Sequence, residues 1–197
     1  MADLELTPQV LSGRFVRLEP YAETLREELK AALDVDLEAW NLFNSSGQGE
    51  HFDAWWASHT AEIAAGARVS FAVRRLADGQ LVGTTSYLNI RPRDRGVEIG
   101  STFYRPEARG GAVNPECKLL LLSHAFEAGA WRVELVTDGR NLRSQAAIAK
   151  LGAVREGVLR RHKLTWTGHV RDTVMFSIIA DEWPSVRAGL QARLGRF

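Results

Sequence analysis

The run from Tyr104 to Leu122 constrains this chain more than any other segment. It passes through a loop containing Gly110, Gly111 and Ala112 and enters an apolar stretch that ends in four leucines, Leu119 to Leu122. Asn114 is a strong N-cap type and Pro115 suits the first position of a helix, so the sequence predicts a helix capped at Asn114. Small residues keep bulk away from the loop backbone. Several N–H groups can then converge on one point, where the helix dipole adds partial positive charge. Such a corner is a site for an anion, and phosphate is the best fit.

Two familiar phosphate loops do not match. A P-loop carries a Lys-Ser or Lys-Thr pair after its second glycine, where this chain has Val113 and Asn114. A dinucleotide loop needs G-x-G-x-x-G, a spacing that Gly110-Gly111-Ala112 lacks, which disfavours a nucleotide-binding oxidoreductase. A plain capped connection between a loop and a helix is the simplest alternative.

The surrounding residues resemble the GNAT acyltransferase superfamily, and within it the RimJ/RimL type. Gly110-Gly111-Ala112 is similar to the end of that superfamily's pyrophosphate loop, although Glu107 stands where Gln or Arg is usual. Gly13 to Pro20 resembles the type's first strand and Val97 to Tyr104 its fourth. Asn141 to Ser144, followed by Leu151-Gly152-Ala153, is similar to its Asn-x-x-Ser helix entry. Glu156 to Arg160 and Arg171 to Ile178 resemble its last two strands. These pieces occur in the family's order.

Periodicity gives a compatible outline. Phe15 to Leu18 reads as a strand. Tyr21, Leu25, Leu29 and Leu33 recur at helical spacing, as do Phe52, Trp55, Trp56, His59 and Ile63. Asn41 to Glu50 reads as a mobile loop. Ser70–Arg75 and Leu81–Asn89 flank Asp78-Gly79, a hairpin signal. A loop from Ile90 to Arg95 precedes the strand Val97–Tyr104. Val133–Thr137 reads as a strand and Ser144–Leu151 as a helix. Val154–Leu164 and Val170–Ile178 pair around Thr167-Gly168, and Trp183, Val186, Leu190 and Leu194 mark a last helix. The expected fold is α/β (α+β), a single GNAT-like domain over residues 1–197, with its core at about 13–180 and a C-terminal helix at about 182–195. Its mixed, mostly antiparallel seven-stranded sheet would be flanked by helices and splayed between strands 4 and 5.

Bulk properties agree. A chain of 197 residues suits one domain, and 45% hydrophobic with 25% charged residues is ordinary for a globular protein. A net charge of +1 gives no global reason to expect nucleic acid. No apolar run approaches membrane-spanning length. Met1 to Glu5 does not resemble a signal peptide. The single cysteine excludes an internal disulfide and fits a cytoplasmic protein. Arg91, Arg93 and Arg95, and again Arg160, Arg161 and Lys163, form local basic clusters, read either as solvated faces or as attraction for an acidic ligand such as coenzyme A.

The resemblance implies an acetyl-CoA-dependent N-acetyltransferase with a primary amine as acceptor, on a protein N-terminus or a small molecule, and no metal. A coenzyme A-binding module without turnover is the alternative, and a homodimer is a further expectation. The backbone from Ile99 through Ser101 and Thr102 to Phe103 would bind the pantetheine arm. The N–H groups of Arg109, Gly110, Gly111, Ala112, Val113 and Asn114 would hold the pyrophosphate. Arg109 and Lys118 would either add charge there or face solvent. Ser144 is the candidate proton donor to the leaving thiolate, or else a helix cap. Asn141 would bind the pantetheine amides or cap the same helix. Glu98 is the candidate base, or an ordinary paired carboxylate, with His162 and Asp172 as substitutes. A covalent mechanism through Cys117 and His124 is set aside, because two helical turns separate the two residues. Trp40, Phe43, Trp55, Trp56 and Trp166 fall in segments that would wall the acceptor cleft, although most such aromatics are core.

Overall fold

The computed structural model describes residues 3–197. A two-residue strand β1 (Leu11–Ser12) is followed by β2 (Val16–Pro20), and a 3-10 turn (Glu23–Leu25) leads into α1 (Arg26–Leu33). After α2 (Leu37–Trp40) a second 3-10 turn (Gly49–His51) opens α3 (Phe52–Ala64). Three strands follow, β3 (Val69–Arg75), β4 (Leu81–Arg91) and β5 (Gly96–Tyr104), then α4 (Val113–Glu127) and β6 (Arg132–Asp138). The chain ends with α5 (Leu142–Ala149), β7 (Val154–Leu164), β8 (Val170–Ile179) and α6 (Trp183–Leu194).

The sheet has eight strands, not seven, in the order β1-β2-β3-β4-β5-β6-β8-β7. The extra strand is β1, where Leu11 faces Leu18 and Ser12 faces Arg17. Two residues are too few to show any periodicity. What holds the hairpin is distant in sequence: the Glu116 carboxylate accepts the N–H groups of Arg14, Phe15 and Val16 at 2.8, 2.6 and 2.7 Å. Other boundaries also move. β4 continues to Arg91, which shortens the expected loop after Asn89.

All neighbouring strands are antiparallel except β5 and β6, which α4 connects as a crossover. Their pairing covers only Gly96 with Arg132, Val97 with Val133 and Glu98 with Glu134. Beyond Glu98 the two strands part, and this is the expected splay.

Alternation along the strands separates two apolar layers. Val97, Ile99, Val133, Leu135, Val174, Phe176 and Ile178 face Cys117, Leu121, Leu122 and Ala125 of α4 and Trp183, Val186 and Leu190 of α6. The opposite face carries Ala72 and Phe103 under Leu29, Leu33, Trp40, Phe52, Trp55 and Trp56. The C-terminal helix is fixed to the first layer by Trp183, stacked on Phe126 at 5.3 Å.

Candidate functional site

The loop after β5 turns through a 3-10 segment, Pro106–Ala108, and then through Gly110 at φ +79°. That angle is costly for any residue with a Cβ. Arg109 N donates to Pro106 O at 3.1 Å. The next five N–H groups, from Gly110 to Asn114, have no acceptor among the described residues. A Cβ on Gly111 would meet nothing within 4 Å, so the backbone there is open to an approaching group.

The helix starts earlier than the cap rule predicts. Ala112 is the N-cap of α4, with no side-chain cap, and Val113 is the first helical residue. Asn114 and Pro115 therefore lie in the first turn. Proline is tolerated there because the first N–H groups of a helix lack intrahelical partners in any case. With no side chain capping them, those donors suit an external anion.

Arg109 departs from expectation. Its N–H is used within the turn, its guanidinium pairs with Asp36 and gives a hydrogen bond to Tyr104 O at 2.8 Å, and it lies over the Phe103 ring. The donor set thus begins at Gly110. Lys118 does not face solvent either. It is buried, and its ammonium donates to Thr102 Oγ1 at 3.0 Å. Burial lowers its pKa to about 8.

Along the open edge of β5, Ser101 adopts φ +49°. Thr84 pairs with Phe103 and Ser86 with Gly100, so β5 carries one extra residue over that interval. This bulge moves Thr102 onto the α4 side and Phe103 onto the α3 side. Thr102 Oγ1 also shares a hydrogen bond with Thr85 Oγ1 at 2.8 Å. Ile99, Ser101, Thr102 and Phe103 therefore run beside the splay, with Ile99 and Phe103 themselves buried in opposite layers.

Across the splay, α5 follows the end of β6. Asn141 is its N-cap and Oδ1 accepts the Ser144 N–H at 2.9 Å, which settles which of the two residues caps the helix. The Ser144 side chain is half-buried and makes no hydrogen bond among the described residues.

Glu98 lies on the face away from α4, 5% exposed, and its Oε2 accepts from Asn89 Nδ2 at 2.6 Å. A Cβ on Gly100 would fall 2.8 Å from Glu98 Oε1, so glycine leaves room for the carboxylate. Glu98 acts electrostatically on His162 and on Arg171. The His162 pKa lies below its usual value, mainly through desolvation and further through Lys163 and Arg171, which outweigh Glu98; the ring is neutral at pH 7. Asp172 is on the opposite face from Arg171 and its Oδ1 takes the Arg161 N–H at 2.7 Å, so it supports the backbone of β7. Glu156 is held by Arg132 and by Ser177 Oγ.

Cys117 is unsuited to nucleophilic work: burial pushes its thiol up to about 12. His124 Nδ1 lies 3.3 Å from Tyr87 Oη. Of the aromatic residues, Trp40, Trp55 and Trp56 are core, whereas Phe43 and Trp166 are half-buried. Trp166 Nε1 donates to Trp40 O at 2.9 Å, Arg140 Nη2 to Asn41 O at 3.3 Å, and Trp166 N to Phe43 O at 3.4 Å. The segment expected to be a mobile loop is thus tied to the chain after β6 and to the turn between β7 and β8. Arg171 was not legible as a site residue, yet it had a signal: Arg171, Thr173 and Ser177 alternate with apolar Val174, Phe176 and Ile178. Among the described residues no cluster of His, Cys, Asp or Glu could hold a metal, and no helix is long and apolar enough to cross a membrane.

Residues 16–154 match the model of the acetyltransferase (GNAT) domain. The chain is similar to a GCN5-related N-acetyltransferase from Brucella melitensis, with 27% identity over 98% of this chain and 88% of that one, at a TM-score of 0.90. It is similar to a T. thermophilus protein assigned as an acetyltransferase, with 36% identity over 95% and 98% of the two chains and a TM-score of 0.84. Mycobacterium smegmatis RimJ, solved in complex with CoA-disulfide, shares the fold at 22% identity over 98% and 97%, with a TM-score of 0.80. No curated protein matches the sequence.

Proposed function

The chain belongs to the GNAT acetyltransferase family, and from that premise we propose that it moves an acetyl group from acetyl-CoA to a primary amine by direct attack in a ternary complex. The observation that carries the reading is the row of five unpartnered N–H groups, Gly110 to Asn114, at the start of α4 and next to the splay. It supports a pyrophosphate at the loop and a pantetheine arm along the open edge of β5, from Ile99 to Phe103. An N–H on that edge would polarise the thioester carbonyl, and such a donor helps most once negative charge develops on the oxygen.

Two side chains have roles in the transfer. Glu98 removes the proton from the attacking nitrogen, directly or through water. An α-amino group has a pKa of ~7.7–8.0, so a weak base suffices near neutrality. Ser144, whose hydroxyl has no partner in the helix it begins, relays a proton from solvent water to the departing thiolate. Asn141 holds the start of α5 and so fixes where that hydroxyl stands. Holding both reactants in place supplies much of the rate.

Thermal unfolding with acetyl-CoA, and with NADH and ATP as controls, tests the donor. Ligand at about 100 times its dissociation constant stabilises a protein by about 2.7 kcal/mol, a shift of several degrees at this size. A shift with acetyl-CoA alone is expected. No shift at millimolar acetyl-CoA would overturn the reading.

A further inference from the structure

Arg171 stands on β8, on the same face as Glu98, and is 6% exposed. Its Nε donates to Thr173 Oγ1 at 3.0 Å, and its Nη1 reaches Asn44 Oδ1 only at 3.5 Å. Among the described residues no carboxylate lies within ion-pair distance of it. Asp138 and Glu98 act on its charge from further away. Both are engaged elsewhere, Asp138 with Arg140 at 2.7 Å and Glu98 with Asn89. Burying a guanidinium without a bidentate partner is expensive, and desolvation indeed lowers the Arg171 pKa. Its Nη2 has no hydrogen-bond partner among the described residues and is not sealed from solvent, so one edge of the fork is free to take a ligand. That fork suits a planar carboxylate.

On one face, then, a carboxylate able to receive an amine is within electrostatic reach of a buried cation that has no ion-pair partner among the described residues. The segment from Asn41 to Asn44 roofs this end of the face, tied down through Arg140, Trp166 and Arg171. Resting on the acetyl-transfer reading above, we infer that the acceptor is a small free α-amino acid, with its amine at Glu98 and its carboxylate on Arg171. A peptide or protein N-terminus would instead bring a neutral amide to the guanidinium.

The test follows thiol release from acetyl-CoA with the standard amino acids, the same compounds as C-terminal amides, and short peptides. At least one amino acid should exceed its own amide roughly 100-fold in kcat/KM, the scale of a charged partner lost from a buried pair. Arg171→Gln should remove that preference by slowing the acid and leaving the amide unchanged. Arg171→Lys should restore part of it. Asn44→Ala, which cuts one tie of the roof but leaves the guanidinium, should keep the acid-to-amide preference whatever it does to the overall rate. Equal or faster turnover of amides or peptides would overturn the inference and leave acetyl transfer standing. So would an Arg171→Gln variant that slows acid and amide alike, since the residue would then serve the roof. Binding of acetyl-CoA with no turnover of any amine would overturn both readings. If Arg171→Gln does not fold, the acid-to-amide ratio of the unaltered protein decides alone.

Discussion

Gly13 lies so close to Glu116 that a Cβ on the glycine would fall 2.3 Å from the glutamate Cδ. The pair joins the first hairpin to the first turn of the helix that begins at the anion loop. Glu116 also benefits from its place near the helix N-terminus. Glu116→Ala would strand three backbone N–H groups and should cost about 2–4 kcal/mol in chemical denaturation. Gly13→Ala should cost a similar amount by displacing the carboxylate. The double variant should lose much less than the sum, because both act on one contact. Additive losses would show that the two act separately.

The loop glycines should differ. Gly110 needs its positive φ, so Gly110→Ala should destabilise the protein alone by about 1 kcal/mol. Gly111 has empty space beside it and no such φ. Gly111→Val should leave stability within about 0.5 kcal/mol while weakening acetyl-CoA binding by about tenfold or more, measured by calorimetry. Unchanged affinity would place the pyrophosphate elsewhere.

The sequence revealed the loop, the hairpins and the order of the elements because each has a local cause. Glycine, proline and periodic apolar residues act within a few positions. The eighth strand was missed because Glu116, about a hundred residues away, holds it. Lys118 was legible as a cation near the loop but not as a buried one, since its burial depends on Thr102 and the bulge at Ser101. Asn141 and Ser144 were legible as a pair, but only the geometry shows that Asn141 makes the cap. Arg171 had only the alternation of Arg171, Thr173 and Ser177 with Val174, Phe176 and Ile178, which marks a polar face without saying what that face binds.

Lys118 should make stability depend on pH in an identifiable window. Burial lowers its pKa from 10.5 to about 8, so between those values the unfolded chain binds the proton more tightly. Stability from this group therefore rises as pH increases from 8 to 10.5, and the cost is fully present below 8. Lys118→Met should stabilise the protein by roughly 3 kcal/mol at pH 7 and flatten that rise. Parallel pH profiles for the two proteins would mean that the ammonium is well solvated.

Glu98→Gln should lower kcat by about 10²–10³ and leave the KM for acetyl-CoA unchanged, the range for a lost general base. A change below threefold would shift the role to His162, whose pKa desolvation lowers and which Glu98 reaches electrostatically.

Asn141 and Ser144 begin one helix, yet removing each should have a different effect. The Asn141 side chain caps α5, so Asn141→Ala should cost about 1 kcal/mol of stability. It should also slow turnover, because the helix start that positions Ser144 loosens. Ser144 contributes only its backbone N–H to the cap, which alanine keeps. Ser144→Ala should therefore leave the unfolding midpoint in place and lower kcat about tenfold or more, with acetyl-CoA affinity intact. The loss should be larger for the acetyl donor than for a thioester whose leaving thiol is more acidic, because a better leaving group needs the donated proton less. Equal losses with both thioesters would show that the hydroxyl positions the substrate and does not protonate the thiolate.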